Sequence, residues 1–379
     1  MLLLICISTL IISPILSKEL VLVQTLWRHG DRTPVKTFPD DPYQEDFWRL
    51  KWGQLTEKGM WQHYQLGLRL KAMYIDDLKF LNATYKLEDI YIQSTDFPRT
   101  LMSAYANLAG FYSDSNDTHP ENSLWPRNWT PVPVHTVDKP NDFLLYVDAP
   151  CKRKNQLYKE QEEHEGFKKF MKQNKKFIDH LANKTKLDFS DLFALEEFHC
   201  TMSIEKRYNL TLPQWYSREI HASLGEILHK SMDYYRGNAD FGKEENVELI
   251  RLSGGVLLNQ MMENMQKAIK KESSIRYYAY SAHDLTVNAL LRTLGAKKEV
   301  VKQGLPDYAS TVVVELWKMD GGDYAVRLLY SANHLAPFKA VTSSISGCSK
   351  DDFCGIDDII KRCEKYAVKD IKQECQARL

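Results

Sequence analysis

The run Leu20-Val21-Leu22-Val23-Gln24-Thr25-Leu26-Trp27 leads directly into Arg28-His29-Gly30-Asp31-Arg32-Thr33-Pro34. The first part is apolar and rich in strand formers, and the second is a polar break holding glycine and proline. A buried strand ending in a loop is therefore expected. In an open α/β sheet, ligands gather beyond the carboxyl ends of the strands. The loop sets two guanidinium groups and an imidazole where a small anion would sit. So much positive charge in one short loop is costly unless something negative binds there.

Two later stretches repeat the layout. Asp89-Ile90-Tyr91-Ile92-Gln93 has a strand pattern, followed by Ser94-Thr95-Asp96-Phe97-Pro98-Arg99-Thr100 and a helical run from Leu101 to Phe111. Asp96 is the expected N-cap and Pro98 suits a first turn, so Arg99 falls near a helix N-terminus, where free N–H groups favour an anion. The third copy is Arg276-Tyr277-Tyr278-Ala279-Tyr280-Ser281, then Ala282-His283-Asp284 and a helix to Leu294. Together these strand ends deliver arginines, histidines and one aspartate: a phosphate clamp, a nucleophile and an acid.

RHGDRTP combined with the late Ser281-Ala282-His283-Asp284 resembles the histidine acid phosphatase family, the acid phosphatase and phytase branch (branch 2) of the histidine phosphatases, and within it the prostatic and lysosomal type. The similarity runs through Lys18-Glu19-Leu20, Phe38-Pro39-Asp40-Asp41-Pro42, Gly53-Gln54-Leu55-Thr56, Arg99 to Ala104 and Gly254-Gly255-Val256. It implies an acid phosphatase, a phosphoric monoester hydrolase that passes through a phosphohistidine. His29 would be the nucleophile, Arg28, Arg32, Arg99 and His283 would bind phosphate, and Asp284 would be the general acid. The residue chemistry agrees. Imidazole is nucleophilic near neutrality, provided its other nitrogen is pinned, and guanidinium offers paired donors to non-bridging oxygens. An aspartate with an ordinary pKa of about 3.9 is a competent acid mainly in an acidic medium. Asp31 and Asp96 are expected to orient the arginines or cap a helix. Relatives commonly carry an arginine at the position of Gln93 and an acidic residue at that of Pro98, so local charge near Arg99 differs here.

The expected fold class is α/β: a central, mostly parallel sheet with helices on both faces and a smaller helical cap insertion. The expected units are a signal peptide at 1–17, a first part of the phosphatase domain at 18–140, the helical insertion at 141–245, the second part at 246–345 and a disulfide-bonded C-terminal segment at 346–379. Met1 to Ser17 is Leu/Ile-rich with a small residue before Lys18, which suits a secretory signal peptide. No later apolar stretch is long enough to span a membrane. Lys+Arg and Asp+Glu both total 50, so formal net charge is zero and nothing points to nucleic acid.

Sequons at Asn82, Asn116, Asn128, Asn183 and Asn209 fit a glycosylated, secreted or lumenal protein, with a lysosomal destination as the alternative. Once Cys6 leaves with the signal peptide, Cys151, Cys200, Cys348, Cys354, Cys363 and Cys375 form an even set consistent with disulfides. Spacing leaves their connectivity open. The resemblance suggests Cys348–Cys354 and Cys151–Cys375. Relatives place the partner of Cys200 where this chain has Thr311, which leaves Cys363 for it. A homodimer is also implied by the resemblance.

Thr56 to Leu81 reads as a helix capped by Thr56, with Met60, Tyr64, Leu68 and Met73 on its apolar face. His63, within it, reads as a surface or capping histidine. Residues 113–140 read as a long surface connection. The Lys/Glu-rich runs from Lys152 to Thr185 read as solvated helix faces. Met261, Met262 and Met265 are expected in the core. Thr311–Trp317 and Tyr324–Leu329 alternate about Asp320-Gly321-Gly322 as a hairpin. No HExxH or clustered carboxylates suggest a metal, and no cofactor is expected. The expected substrate is a small-molecule or protein phosphomonoester. The alternatives are a narrower phosphatase for inositol phosphates or lysophospholipids, and a non-catalytic secreted binding protein.

Overall fold

A computed structural model describes residues 18–115, 118–127, 129–349 and 351–377. The 1–17 segment with Cys6, and the sequons at Asn116 and Asn128, lie outside the described residues. One mixed sheet organises the chain. Its strands are β1 (Glu19–Arg28), β2 (Ile90–Thr95), β3 (His135–Val137), β4 (Tyr277–Ala282), β5 (Thr311–Lys318), β6 (Tyr324–Ser331), β7 (Lys339–Ala340) and β8 (Cys354–Gly355). The order is β3-β2-β4-β1-β5-β6-β7, with β8 also pairing β6. From β3 to β1 the pairing is parallel, and from β1 onward it is antiparallel. The parallel half follows from the strand–loop–helix repeats, because parallel strands need a crossover between them. The antiparallel half follows from the β5–β6 hairpin.

The helices are α1 (Glu57–Lys71), α2 (Pro98–Phe111), α3 (Lys152–Glu162), α4 (Glu165–Thr185), α5 (Leu192–Arg207), α6 (Arg218–Tyr235), α7 (Val247–Lys270), α8 (Asp284–Thr293), α9 (Lys297–Val300), α10 (Ile356–Cys363) and α11 (Ile371–Glu374). β1 is apolar on both faces because both are covered. Leu22 and Leu26 pack into a core with Leu257, Met261, Met265 and Leu290, whereas Val23 and Trp27 face Leu66, Leu70 and Ala104. Each such side chain, fully buried, stabilises by roughly 1.5–3 kcal/mol. A register shift between Leu20 and Leu22 puts Leu20 on the same side as Val23 despite its odd spacing. Gln24 is wholly buried on the other side, where its Nε2 donates to the Met261 carbonyl at 2.9 Å.

α1 starts at Thr56, whose Oγ1 accepts from Gly59 N–H at 3.1 Å. Its buried stripe is Gly59, Gln62, His63, Leu66, Gly67 and Leu70, about one residue round from the face expected through Met60, Tyr64 and Leu68. Leu68 is exposed. Beyond Lys71 the chain continues as a wider π-helical segment, Ala72–Asp77. At α2 the cap is Phe97 rather than Asp96, with Pro98 at the first helical position; an extended residue before proline suits that boundary.

Helices α3 to α6 have a hydrophobic cluster of their own around Leu181, Leu195, Met202, Leu224 and Tyr234, which Phe38 from the loop after β1 joins. The Lys-rich face of α4 is exposed, as the charge pattern requires. Asn82, Asn183 and Asn209 are exposed as well. Among the described residues there are two disulfides, Cys151–Cys375 and Cys348–Cys354. The expected Cys200–Cys363 bridge is not formed, and both are free thiols. The packing explains this. Cys363 ends α10 inside the core between α7 and β6, whereas Cys200 projects from α5 toward Arg32.

Candidate active site

β2, β4 and β1 are neighbours, so their carboxyl ends share one edge. Arg28 lies opposite Ala282, and Ser94 opposite Ser281, so the residues that follow each strand emerge together. The His29 N–H donates to the Ala282 carbonyl at 3.0 Å, stitching two of the loops. The rings of His29 and His283 meet edge to face with centroids 5.6 Å apart. Arg28 Nη2 stands 2.9 Å from Asp284 Oδ2, and Arg99 Nη2 stands 3.5 Å from His283 Nδ1. His29, Arg32, Arg99, His283 and Asp284 line one cavity of about 210 Å³, with Phe97 and Tyr146 also in its wall. Arg28 reaches the group from the other side. It lies over the Tyr308 ring at 4.3 Å and donates from Nη1 to the Pro306 carbonyl at 2.6 Å. All six residues singled out in the sequence are therefore brought together. Gln93 and Pro98 are not among the residues lining the cavity.

The loop after β1 is held from outside. Thr33 N–H donates to the Gln54 carbonyl at 3.0 Å, and Thr33 Oγ1 donates to the Lys51 carbonyl at 2.7 Å. Asp31 accepts from Thr56 Oγ1 at 2.7 Å and from the Tyr208 hydroxyl, tying the loop to the start of α1 and the end of α5. Gly30 packs directly on the backbone of Gly59. A Cβ at Gly30 would lie 2.3 Å from the Gly59 carbonyl oxygen, and one at Gly59 would lie 2.2 Å from that of Asp31. Only glycine fits either position at this separation.

A carbonyl can only accept, so the 2.8 Å contact between His29 Nδ1 and the Gly30 oxygen places the proton on Nδ1 and leaves the Nε2 lone pair free. Burial, then the charges of Arg99, Arg28, His283 and Arg32, hold the His29 pKa well below the usual 6.5. His283 is pushed down to about 3, by burial first and then by Arg99, with Asp284 opposing. Asp284 also lies below the ordinary aspartate value. Burial alone would raise it, but Arg28, His283, Arg32 and the Leu285 N–H outweigh that effect. Arg99 is pushed down to about 10 by burial and by Arg32. The resting site thus presents a neutral nucleophile, an ionised carboxylate and a surplus of positive charge. An anion would neutralise that surplus.

The sequence reading missed His63. It is wholly buried, its Nε2–H donates to the Arg28 carbonyl at 3.0 Å, and burial drives its pKa down to about 3. Its spacing with Gly59, Leu66 and Leu70 carried the signal, since these share the inward helical stripe. Cys200, expected in a disulfide, instead accepts at Sγ from Arg32 Nη2 at 3.4 Å.

A crevice at three parallel strand ends, lined by two imidazoles, guanidinium groups and a carboxylate, is built to take a small anion. Residues 19–331 match the histidine phosphatase superfamily (branch 2), and the chain belongs to that family. It is 35% identical to the lysosomal acid phosphatase of Rattus norvegicus over 97% of this chain and 82% of that protein. It is 36% identical to the prostatic acid phosphatase of Mus musculus over 97% of this chain and 92% of that one. Among solved structures, the Klebsiella sp. ASR1 phytase superposes with a TM-score of 0.65 at 17% identity, covering 96% and 98% of the two chains. The Hafnia alvei phytase in complex with tartrate gives 0.67 at 14%, covering 95% and 99%. At such identities these structures speak to the fold alone.

Proposed function

We propose that this protein is an acid phosphatase that hydrolyses phosphomonoesters through a phosphohistidine on His29. The observation that carries the reading is the His29 ring itself: Nδ1 held by the Gly30 carbonyl, Nε2 free, and burial, reinforced by three arginines, suppressing its protonation. A histidine of ordinary pKa would be mostly imidazolium in acid and useless as a nucleophile.

In the first step the ester phosphorus bonds to His29 Nε2 as the P–O bond to the leaving group breaks. Arg28, Arg32 and Arg99 hold the non-bridging oxygens, and His283 adds a contact. Asp284 gives its proton to the departing oxygen, so an alcohol leaves and a carboxylate remains. Water then attacks phosphorus, Asp284 recovers a proton from it, and breaking the P–N bond releases inorganic phosphate and neutral His29. Asp284 needs a proton for the first step. Substrate phosphate draws Arg28 into its own ion pair and adds negative charge nearby; both effects raise the Asp284 pKa toward the acidic working range.

The neighbouring cavity beside Arg28, of about 220 Å³, does not favour a polyanionic substrate. Its arginines are already paired, Arg236 with Glu196 at 2.9 Å and Arg207 with Asp307 at 3.0 Å. Two disulfides and three exposed sequons support a secreted or lumenal location. A homodimer belongs to the same proposal, and sedimentation equilibrium tests it. The decisive experiment is His29→Ala. It should lower turnover of phosphomonoesters by at least about a thousandfold and abolish acid-quench trapping of phosphoenzyme. Turnover near the wild-type rate would overturn the nucleophile assignment.

A further inference from the structure

His283 is fixed in one tautomer by a short hydrogen-bond chain. Its Nε2 lies 3.0 Å from Thr95 Oγ1, and that hydroxyl lies 2.9 Å from Thr100 Oγ1. Thr100 Oγ1 in turn faces two carbonyl oxygens, of Thr95 at 3.0 Å and of Phe97 at 2.9 Å. Both threonines are wholly buried. Carbonyls only accept, so the Thr100 hydrogen points to one of them. The Thr95 hydrogen then goes to Thr100 Oγ1, and Thr95 Oγ1 must accept from His283 Nε2–H. The opposite end of the ring agrees. Nδ1 faces Arg99 Nη2 at 3.5 Å, and a guanidinium can only donate. Neutral His283 therefore carries a lone pair, not a hydrogen, at Nδ1, where it faces Arg99 on the cavity wall.

We infer that Thr95 and Thr100 are positioning residues that make the site take one proton with its anion, on the line between His283 Nδ1 and a phosphate oxygen. This rests on the cavity being the phosphate site. Two lone pairs facing each other repel, so a fully ionised phosphate cannot use His283 unless a proton lies between them. It can arrive on the substrate as P–OH or be taken up by Nδ1; the charge balance is the same. Preference for acid thus has a second origin, separate from Asp284. The charged and titratable groups around the ring are Arg28, His29, Arg32, Arg99 and Asp284, with Tyr146 at 6.4 Å and Asp148 on the same cavity wall.

Sulfate is a suitable probe, because near pH 6 it carries no proton of its own and any uptake must occur on the protein. Asp284→Asn protein, in which the carboxyl cannot take the proton, is titrated calorimetrically with sulfate in two buffers of different ionisation enthalpy. About one proton should be absorbed per sulfate bound. Adding Thr95→Ser should keep that number. Adding Thr95→Val should bring it toward zero, since the freed imidazole can shift its hydrogen to Nδ1 and donate without being charged. Sulfate binding without uptake in the Asp284→Asn protein would overturn the inference, as would uptake unchanged by Thr95→Val. Failure of sulfate to bind at all would instead overturn the phosphate-site reading. Thermal melting of each variant confirms that it is folded.

Discussion

Asp284 and His29 sit in one electrostatic field that acts on them in opposite ways. Burial and the arginines together suppress protonation of the imidazole, as a nucleophile requires, and the arginines also hold the Asp284 carboxyl ionised against its burial. Only substrate charge resolves that conflict for the acid. Asp284→Asn should therefore slow alkyl phosphates by about a hundredfold or more, since an alkoxide must be protonated as it leaves. Hydrolysis of p-nitrophenyl phosphate, whose leaving group is already stable as an anion, should fall far less. Steady-state rates on the two substrates check this, and equal losses on both would remove the acid role.

The junction of the β1 loop with α1 depends on backbone meeting backbone at Gly30 and Gly59. A methyl at Gly59 has nowhere to go except by pushing α1 away from the nucleophile loop, which Thr56 and Asp31 otherwise clasp. Gly59→Ala should cost about 1–3 kcal/mol of stability, beyond any gain in helix propensity, and lower kcat by about tenfold or more. Denaturant unfolding and initial rates together test it. An unchanged midpoint would mean the contact is looser than the geometry states. His63, one turn further along the same face, secures the Arg28 carbonyl, so α1 supports the site at two successive turns.

Across the whole molecule, Cys151–Cys375 closes a loop with a sequence separation of 224, tying the start of α3 to the end of α11. Replacing both cysteines with serine should lower stability by about 3–5 kcal/mol, mostly by loosening the unfolded chain, and the midpoint of thermal unfolding reads this. Glu205 is wholly buried on α5 and faces Asp41 of the β1 loop; burial, then that carboxyl, pushes its pKa up to about 9. Its folded pKa is above its unfolded one, so its contribution is full below about 4.5 and is lost as pH rises toward 9. Glu205→Gln should be nearly neutral at pH 4 and stabilise by about 1–3 kcal/mol at pH 7.5. A gain of equal size at both pH values would show that charge is not the cause.

Much of this molecule was legible from local chemistry. Apolar runs ending in charged loops announce strands with a site at their carboxyl ends, and the motif residues Arg28, His29, Arg32, Arg99, His283 and Asp284 need only adjacent parallel strands to converge. What pattern could not settle depends on contacts between residues distant in the chain. The partner of Cys200, the inward turn of His63 and the chain from His283 through Thr95 to Thr100 belong to this class, because burial and hydrogen-bond direction are properties of a packed neighbourhood. A residue's type says what it can donate or accept; only the folded surroundings say which option is left to it.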